Sequence, residues 1–282
     1  MSSRFFVFSL FILALASAVS ITSAALFSAS QKTLRVSFLA VGEGRAILVQ
    51  SPTGAKVLID GGPDRRVVRA LSSLLGPLDR SLDLVIETNT RTAVAGGLPD
   101  ILDRYQVRAF IAPALSNDSA AARLSAARVG RASQTLSLVA RRGMHISLGR
   151  GAFLDVLAPD REALGAGLFG ATVVRITYGK TSFLFPSDIP EGTRWWLRTL
   201  DASSTLASTV LSVGHFGAQD SLDSAWLRAV QPSLAVISVG KNPYGYPATT
   251  TRRLLRGAGV RVFTTQGGTV TLTSNGVSVS EE

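Results

Sequence analysis

Along the chain, short runs of β-branched and other apolar residues alternate with stretches whose apolar positions recur every three or four residues. The first pattern predicts strands over Leu34–Leu39, Ala46–Gln50, Lys56–Ile59, Leu84–Ile86 and Ala109–Ala112. A second set follows over Phe153–Leu157, Thr172–Tyr178, Ser182–Phe185, Thr209–Ser212, Leu234–Ser238, Val260–Thr264 and Thr269–Thr273. The helical period predicts helices over Arg66–Leu75, Leu98–Arg104, Ala120–Val129, Gly192–Leu200, Leu222–Val230 and Thr249–Arg256. Ser51-Pro52-Thr53-Gly54 and Tyr178-Gly179-Lys180-Thr181 read as hairpin turns. Strands interleaved with helices indicate an α/β fold. The elements fall into two groups split near Arg142–Gly151, which predicts two similar halves of one domain spanning residues 32–282.

The first 31 residues follow a different rule. From Phe5 to Gln31 no residue is charged, and Phe5–Leu15 is densely apolar. As a helix this stretch would span roughly 40 Å, more than the ~30 Å of a bilayer core. Ala16-Ser17-Ala18 and Thr22-Ser23-Ala24 also qualify as small-x-small cleavage sites. Residues 1–31 are therefore expected to be a signal anchor or a cleaved signal peptide. Arg4 precedes the segment, so the remainder is expected outside the cytoplasm, anchored to the membrane or secreted.

Composition narrows the chemistry further. The chain has 282 residues and no Cys, which removes disulfides, thiolate metal sites and a cysteine nucleophile. Its two histidines are His145 and His215. Lys and Arg total 29 against 19 acidic residues, a formal charge of +10, and all but four of the basic residues are Arg. Such a surface admits nucleic acid or another polyanion as partner. The pairs Arg65-Arg66, Arg141-Arg142 and Arg252-Arg253 are scattered and have no aromatic residues interleaved with them.

Six segments, in order, carry a more specific signal. They are Phe38-Leu39-Ala40-Val41-Gly42-Glu43-Gly44-Arg45-Ala46-Ile47-Leu48, Leu58-Ile59-Asp60-Gly61-Gly62-Pro63, Leu82-Asp83 through Gly96-Gly97-Leu98, Phe183-Leu184-Phe185-Pro186-Ser187-Asp188, Val210-Leu211-Ser212-Val213-Gly214-His215-Phe216-Gly217-Ala218, and Gln231-Pro232 through Gly245-Tyr246-Pro247. Together they resemble the metallo-β-lactamase superfamily, and within it the hydrolase-like domain of the competence DNA-uptake protein ComEC. The resemblance covers about Leu34–Ser274. It implies a four-layer αββα sandwich, with active members holding one or two metal ions, usually zinc, at the sheet rim.

Read residue by residue, the resemblance breaks at the metal ligands. The family's first His is Asn89 here, its next ligand Arg91, its Asp Ala93, its second His Val94, and the His before Pro is Tyr246. Asp188 and His215 survive, while Phe216 and Ala218 replace the second His and Ser of the HHGS element. The relic site is thus Asn89, Arg91, Asp188, His215 and Tyr246, with no catalytic residue assigned. Asp188, His215 and Asp60 remain as a reduced candidate metal set, which would take zinc or manganese; otherwise no cofactor is expected. Asp60 in its Gly-Gly turn reads as an acceptor for loop amides. Because a buried carboxylate needs a counter-charge, Arg91, or alternatively Arg45, is expected to fill the vacated metal position and pair with Asp188 or Asp60. The function expected is a pseudoenzyme, a binding or assembly module linked to DNA uptake or the envelope. The alternative is an active phosphodiesterase or nuclease-like hydrolase with an atypical mononuclear site. His145 lies outside every motif and reads as a surface or packing residue, and Trp195-Trp196 reads as helix packing.

Overall fold

The computed structural model describes residues 33–114, 119–160, 164–165, 171–200 and 203–282. The expected signal anchor or signal peptide, residues 1–31, lies outside these residues; among the described residues no helix is long and apolar enough to cross a membrane. Among the described residues fifteen strands form two sheets. The first holds β1 (Leu34–Phe38), β2 (Ile47–Gln50), β3 (Lys56–Ile59), β4 (Ser81–Ile86), β5 (Gln106–Ala112), β6 (Leu136–Val139), β14 (Val270–Ser274) and β15 (Val279–Glu281), in the order β15-β14-β1-β2-β3-β4-β5-β6. The second holds β7 (His145–Gly149), β8 (Ala152–Ala158), β9 (Val173–Tyr178), β10 (Thr181–Phe185), β11 (Val210–Val213), β12 (Leu234–Ile237) and β13 (Arg261–Thr264), in the order β13-β12-β11-β10-β9-β8-β7. Helices α1 (Arg66–Leu75), α2 (Thr92–Ala95), α3 (Leu98–Arg104) and α4 (Ala120–Arg131) precede the second sheet. Helices α5 (Glu191–Leu200), α6 (Ser203–Leu206), α7 (Ser224–Val230) and α8 (Thr249–Gly257) are interleaved with it.

Three apolar layers explain the stacking. Between the sheets, Phe38, Ile47, Val49, Ile59 and Ile86 pack with Leu154, Val156, Val174, Ile176, Phe183 and Phe185. The alternate residues Leu48, Leu58 and Val85 turn outward onto Val67 and Leu71 of α1, Leu98 and Ile101 of α3 and Val129 of α4. On the other side Leu184, Leu211, Val213 and Ile237 meet Leu197 of α5, Trp226 and Val230 of α7 and Leu255 of α8. Strand β10 is buried at all five positions, as a strand covered on both faces must be. The result is the expected αββα order of layers.

One expectation fails. The predicted division into halves places Thr269–Thr273 with the second group, yet β14 pairs antiparallel with β1, Phe38 opposite Val270. The C-terminal strands therefore complete the first sheet. Within each sheet, β3–β6 and β10–β13 run parallel, so their C-terminal ends gather at one rim. That rim is where open α/β sheets place polar sites.

Candidate functional site

Four loops leave that rim and converge. The loop after β1 carries Arg45, the turn after β3 begins with Asp60, the segment after β4 carries Thr88 and Asn89, and the loop after β10 carries Ser187 and Asp188. Main-chain bonds lock the first loop: Arg45 N–H donates to Ala93 O at 3.2 Å, and Gly62 N–H donates to Arg45 O at 2.8 Å. The Arg45 side chain is only 4% exposed and lies between two carboxylates. Its Nε donates to Asp60 Oδ2 at 2.8 Å and its Nη1 to Asp188 Oδ1 at 3.0 Å. Nη2 donates to Thr88 Oγ1 at 3.0 Å and Ser187 Oγ at 3.1 Å. A guanidinium has five N–H groups in a fixed fork, and these contacts engage four of them.

Every oxygen of the two carboxylates faces at least one donor. Asp60 Oδ1 accepts from Thr88 N–H at 2.8 Å, and Oδ2 accepts from Thr88 Oγ1 at 2.9 Å as well as from Arg45. Asp188 Oδ1 also accepts His215 N–H at 2.7 Å, and Oδ2 faces Asn89 Nδ2 and Arg91 Nη1, each at 3.5 Å. Burial pushes the Asp188 carboxyl up, but Arg45, the His215 amide and Arg91 outweigh it and hold the group below the ordinary carboxylate range. At Asp60, complete burial dominates and pushes the carboxyl up against the pull of Arg45 and Thr88. Burial would lower the Arg45 pKa, yet the two carboxylates raise it above its usual value, so Arg45 carries a fixed charge. Asp60, Ser187, His215 and Phe216 all adopt positive φ, between 47° and 62°. Four non-glycine residues in that region around one cluster show that the network holds the loops against local backbone preference.

The pairing differs from the expectation in which Arg91 stood first. Arg91 precedes α2, is 45% exposed in its side chain, and reaches Asp188 only from the rim. Arg45 takes the central position because its backbone is bonded to Gly62, in the turn that carries Asp60, and its side chain extends from there to both carboxylates. His215 Nδ1 pairs with Asp220 Oδ1 at 3.1 Å, and its ring lies 6.1 Å from that of Tyr246. The Tyr246 ring is stacked 5.6 Å from Tyr244. Val94, in the family's second-His position, is fully buried among apolar residues. His145 is remote from the site on exposed β7, paired with Asp155 at 2.6 Å and stacked on Phe153. Trp196 donates to Asp160 Oδ2 at 3.1 Å, whereas Trp195 is 56% exposed and packs no core, because it points away from the sheet.

Motif reading missed Thr88 and Ser187, which complete the cage around Arg45. Hydroxyls are common in loops, and only the meeting of β4 and β10 gives these two a shared partner. Beside the cage lies a cleft of about 380 Å³ lined by Arg91, Asp188, Arg194, His215, Ser221 and Trp226. The Ser221 hydroxyl is buried there without a partner.

A metal ion does not fit this donor set. Among the described residues no group of three or more His, Asp or Glu is gathered as a metal site. A dication between Asp60 and Asp188 would meet a guanidinium already bonded to both.

Two facing mixed sheets, helices outside, and a polar cluster at the C-terminal strand ends define this chain as a metallo-β-lactamase fold. Solved structures agree on the fold. The metallo-β-lactamase fold protein YhfI from Bacillus subtilis superposes with a TM-score of 0.54 at 9% identity, covering 83% of this chain and 98% of that one. Igni18, a metallo hydrolase from Ignicoccus hospitalis, gives 0.53 at 14% identity over 85% and 98%. The diiron β-hydroxylase CmlA from Streptomyces venezuelae gives 0.52 at 14% identity over 85% and 54%. In sequence the chain is similar to recombination protein 2 of Haemophilus influenzae, 29% identical over 224 residues, 77% of this chain and 26% of that protein. It is also similar to ComE operon protein 3 of Bacillus subtilis, 29% identical over 118 residues, 41% of this chain and 15% of that protein. The chain thus spans about a quarter or less of the length of these curated relatives. No protein-family model matches it.

Proposed function

We propose that this chain is an extracytoplasmic, membrane-anchored or secreted module of a DNA-uptake or envelope system, one that binds its partner and does not hydrolyse it. The observation that carries the reading is Arg45, whose guanidinium bridges Asp60 and Asp188 at 2.8 and 3.0 Å. A catalytic dication would supply a hydroxide at neutral pH and clamp developing charge. Arg45 supplies the charge that compensates the carboxylates and no site for that water. The similarity to recombination protein 2 and ComE operon protein 3, with the motif resemblance to the hydrolase-like domain of a DNA-uptake protein, supports placing the module near DNA uptake. The cleft supports a phosphodiester partner: Arg91 and His215 lie along it, and Tyr244 with Tyr246 forms a stacked aromatic rim beside His215.

The test is metal analysis and hydrolysis together. Purified chain is incubated with zinc or manganese, dialysed and assayed on bis(p-nitrophenyl) phosphate. The expected result is far less than one metal per chain and no hydrolysis above that of the Asp188→Asn variant. Near-stoichiometric metal, with hydrolysis removed by chelator and by Asp188→Asn, would overturn the proposal in favour of an atypical metal-dependent hydrolase.

A further inference from the structure

Immediately before Thr88 the chain places a second acidic residue, and it faces the other way. Successive side chains of an extended segment point to opposite sides. Thr88 therefore turns towards Arg45 and Glu87 turns towards the outer face of the first sheet, under α4. The Glu87 backbone is fixed by its N–H bond to Ile111 O at 2.9 Å. Its side chain is buried, the residue being 3% exposed, and its Oε1 has no hydrogen-bond partner. A buried carboxyl oxygen without a partner is costly and requires either a proton or a cation.

The space in front of it is a cavity of about 230 Å³, lined by Phe110, Ala112 and Pro113 from the sheet side and by Ala122, Ala126 and Val129 of α4. Thr90, Gly130 and Ser137 complete the lining, and none of these residues is charged apart from Glu87 itself. Ala126, Gly130 and Ser137 are exposed, so the cavity opens to solvent on the α4–β6 side. An apolar cavity of ~150 Å³ holds a benzene ring, so this volume holds a molecule of roughly nine heavy atoms. Apolar walls favour a hydrocarbon body, and a carboxylate at the inner end favours a cationic head.

We propose that this cavity is a binding site for a small primary ammonium with an apolar body, with the Glu87 carboxylate as its counter-ion. Burial, and secondarily the charge of Asp60 behind it, push the empty group up to about 7. Glu87 is thus poised to give up its proton to solvent when a cation arrives. The site lies on the opposite side of the strand end from the Arg45 cage, and the inference does not depend on the function proposed for that cage. A free amine and a lysine side chain share this head group.

The experiment is a titration of the purified full-length chain at pH 8, read by thermal midpoint and by saturation-transfer NMR on the added molecule. The probes are benzylammonium, its neutral isostere benzyl alcohol, and Nα-acetyl-lysine N-methylamide. The expected result is binding of one or both cations, with the tighter one identifying the source, and little binding of the alcohol. Glu87→Gln, isosteric with the protonated acid, should weaken the cation by about thirtyfold or more. Ala126→Met, which narrows the mouth from an exposed helix position, should weaken it while leaving Glu87 in place. Equal binding of benzyl alcohol and benzylammonium, equal binding by wild type and Glu87→Gln, or no binding of either cation would overturn the proposal.

Discussion

Arg45 lies 15 residues from Asp60 and 143 residues from Asp188 in sequence, yet it is bonded to both. Removing one partner from a buried ion cluster leaves the others uncompensated, which costs about 3–5 kcal/mol. Arg45→Met is accordingly expected to lower unfolding free energy in urea by that amount. The triple variant with Asp60→Asn and Asp188→Asn should recover most of the loss, since no charge is then left unpaired. Glu87 behaves in the opposite sense to Asp188. Its folded pKa of about 7 lies above the ordinary 4.5. Between those values the folded state binds more protons than the unfolded one, so stability falls as pH rises from about 4.5 to about 7, then levels off. The full effect is on the order of 3 kcal/mol. Glu87→Gln should remove this loss, making the variant the more stable protein at pH 8 but not at pH 4; denaturation at the two pH values checks it. Asp188, with a depressed pKa, contributes stability at neutral pH that is lost only as pH falls below the carboxylate range.

At the scale of elements, backbone fit decides where the cage stands. Gly61 N–H donates to Val94 O at 2.6 Å and Gly97 N–H donates to Gly62 O at 3.0 Å, stitching the Asp60 turn to α2 and the start of α3. A Cβ on Gly97 would strike the carbonyl oxygens of Gly61 and Asp64, both main chain and unable to swing aside. Gly97→Ala is therefore expected to destabilise by about 1–3 kcal/mol. Because the turn moves with it, the loss should be accompanied by a changed His215 ring environment in NMR, which a remote core defect would not produce. The motif spacing already marked these glycines, and Arg66–Leu75 and Leu98–Arg104 match the observed helices end to end. Strands β6, β7 and β15 escaped notice. The first two alternate apolar and polar residues over only four and five positions, most of them exposed or half-buried, and β15 is a three-residue edge strand, so none carries a run long or apolar enough to stand out.

Across the whole molecule the dominant fact is charge. With +10 overall and a tyrosine-edged cleft, the chain should be retained on single-stranded DNA at about 50 mM salt and released by roughly 200 mM, as counter-ion release requires. Tyr244→Ala should weaken that binding by about 1–3 kcal/mol at fixed salt, because a stacked ring is lost while charge is unchanged. Elution independent of salt, or indifferent to Tyr244, would leave the basic surface without this role. The arginine pairs noted in the sequence do not assemble that cleft; Arg91, alone in its segment, lies on it.

The sequence by itself determined the layers and the site's address. Two-fold and 3.6-fold periodicities are local, and turn-forming Gly and Asp must stand where strands end, so the order of motifs fixed the strand ends that meet. It also determined which donors were missing, since a side chain that is not encoded cannot coordinate. Tertiary structure alone decided that Arg45, not Arg91, fills the space between Asp60 and Asp188, because that choice depends on side-chain direction across loops far apart in sequence. It alone sent β14 back to the first sheet and turned Glu87 into an apolar cavity. Pairing and burial of that kind are set by which surfaces meet in space, information that no local pattern carries.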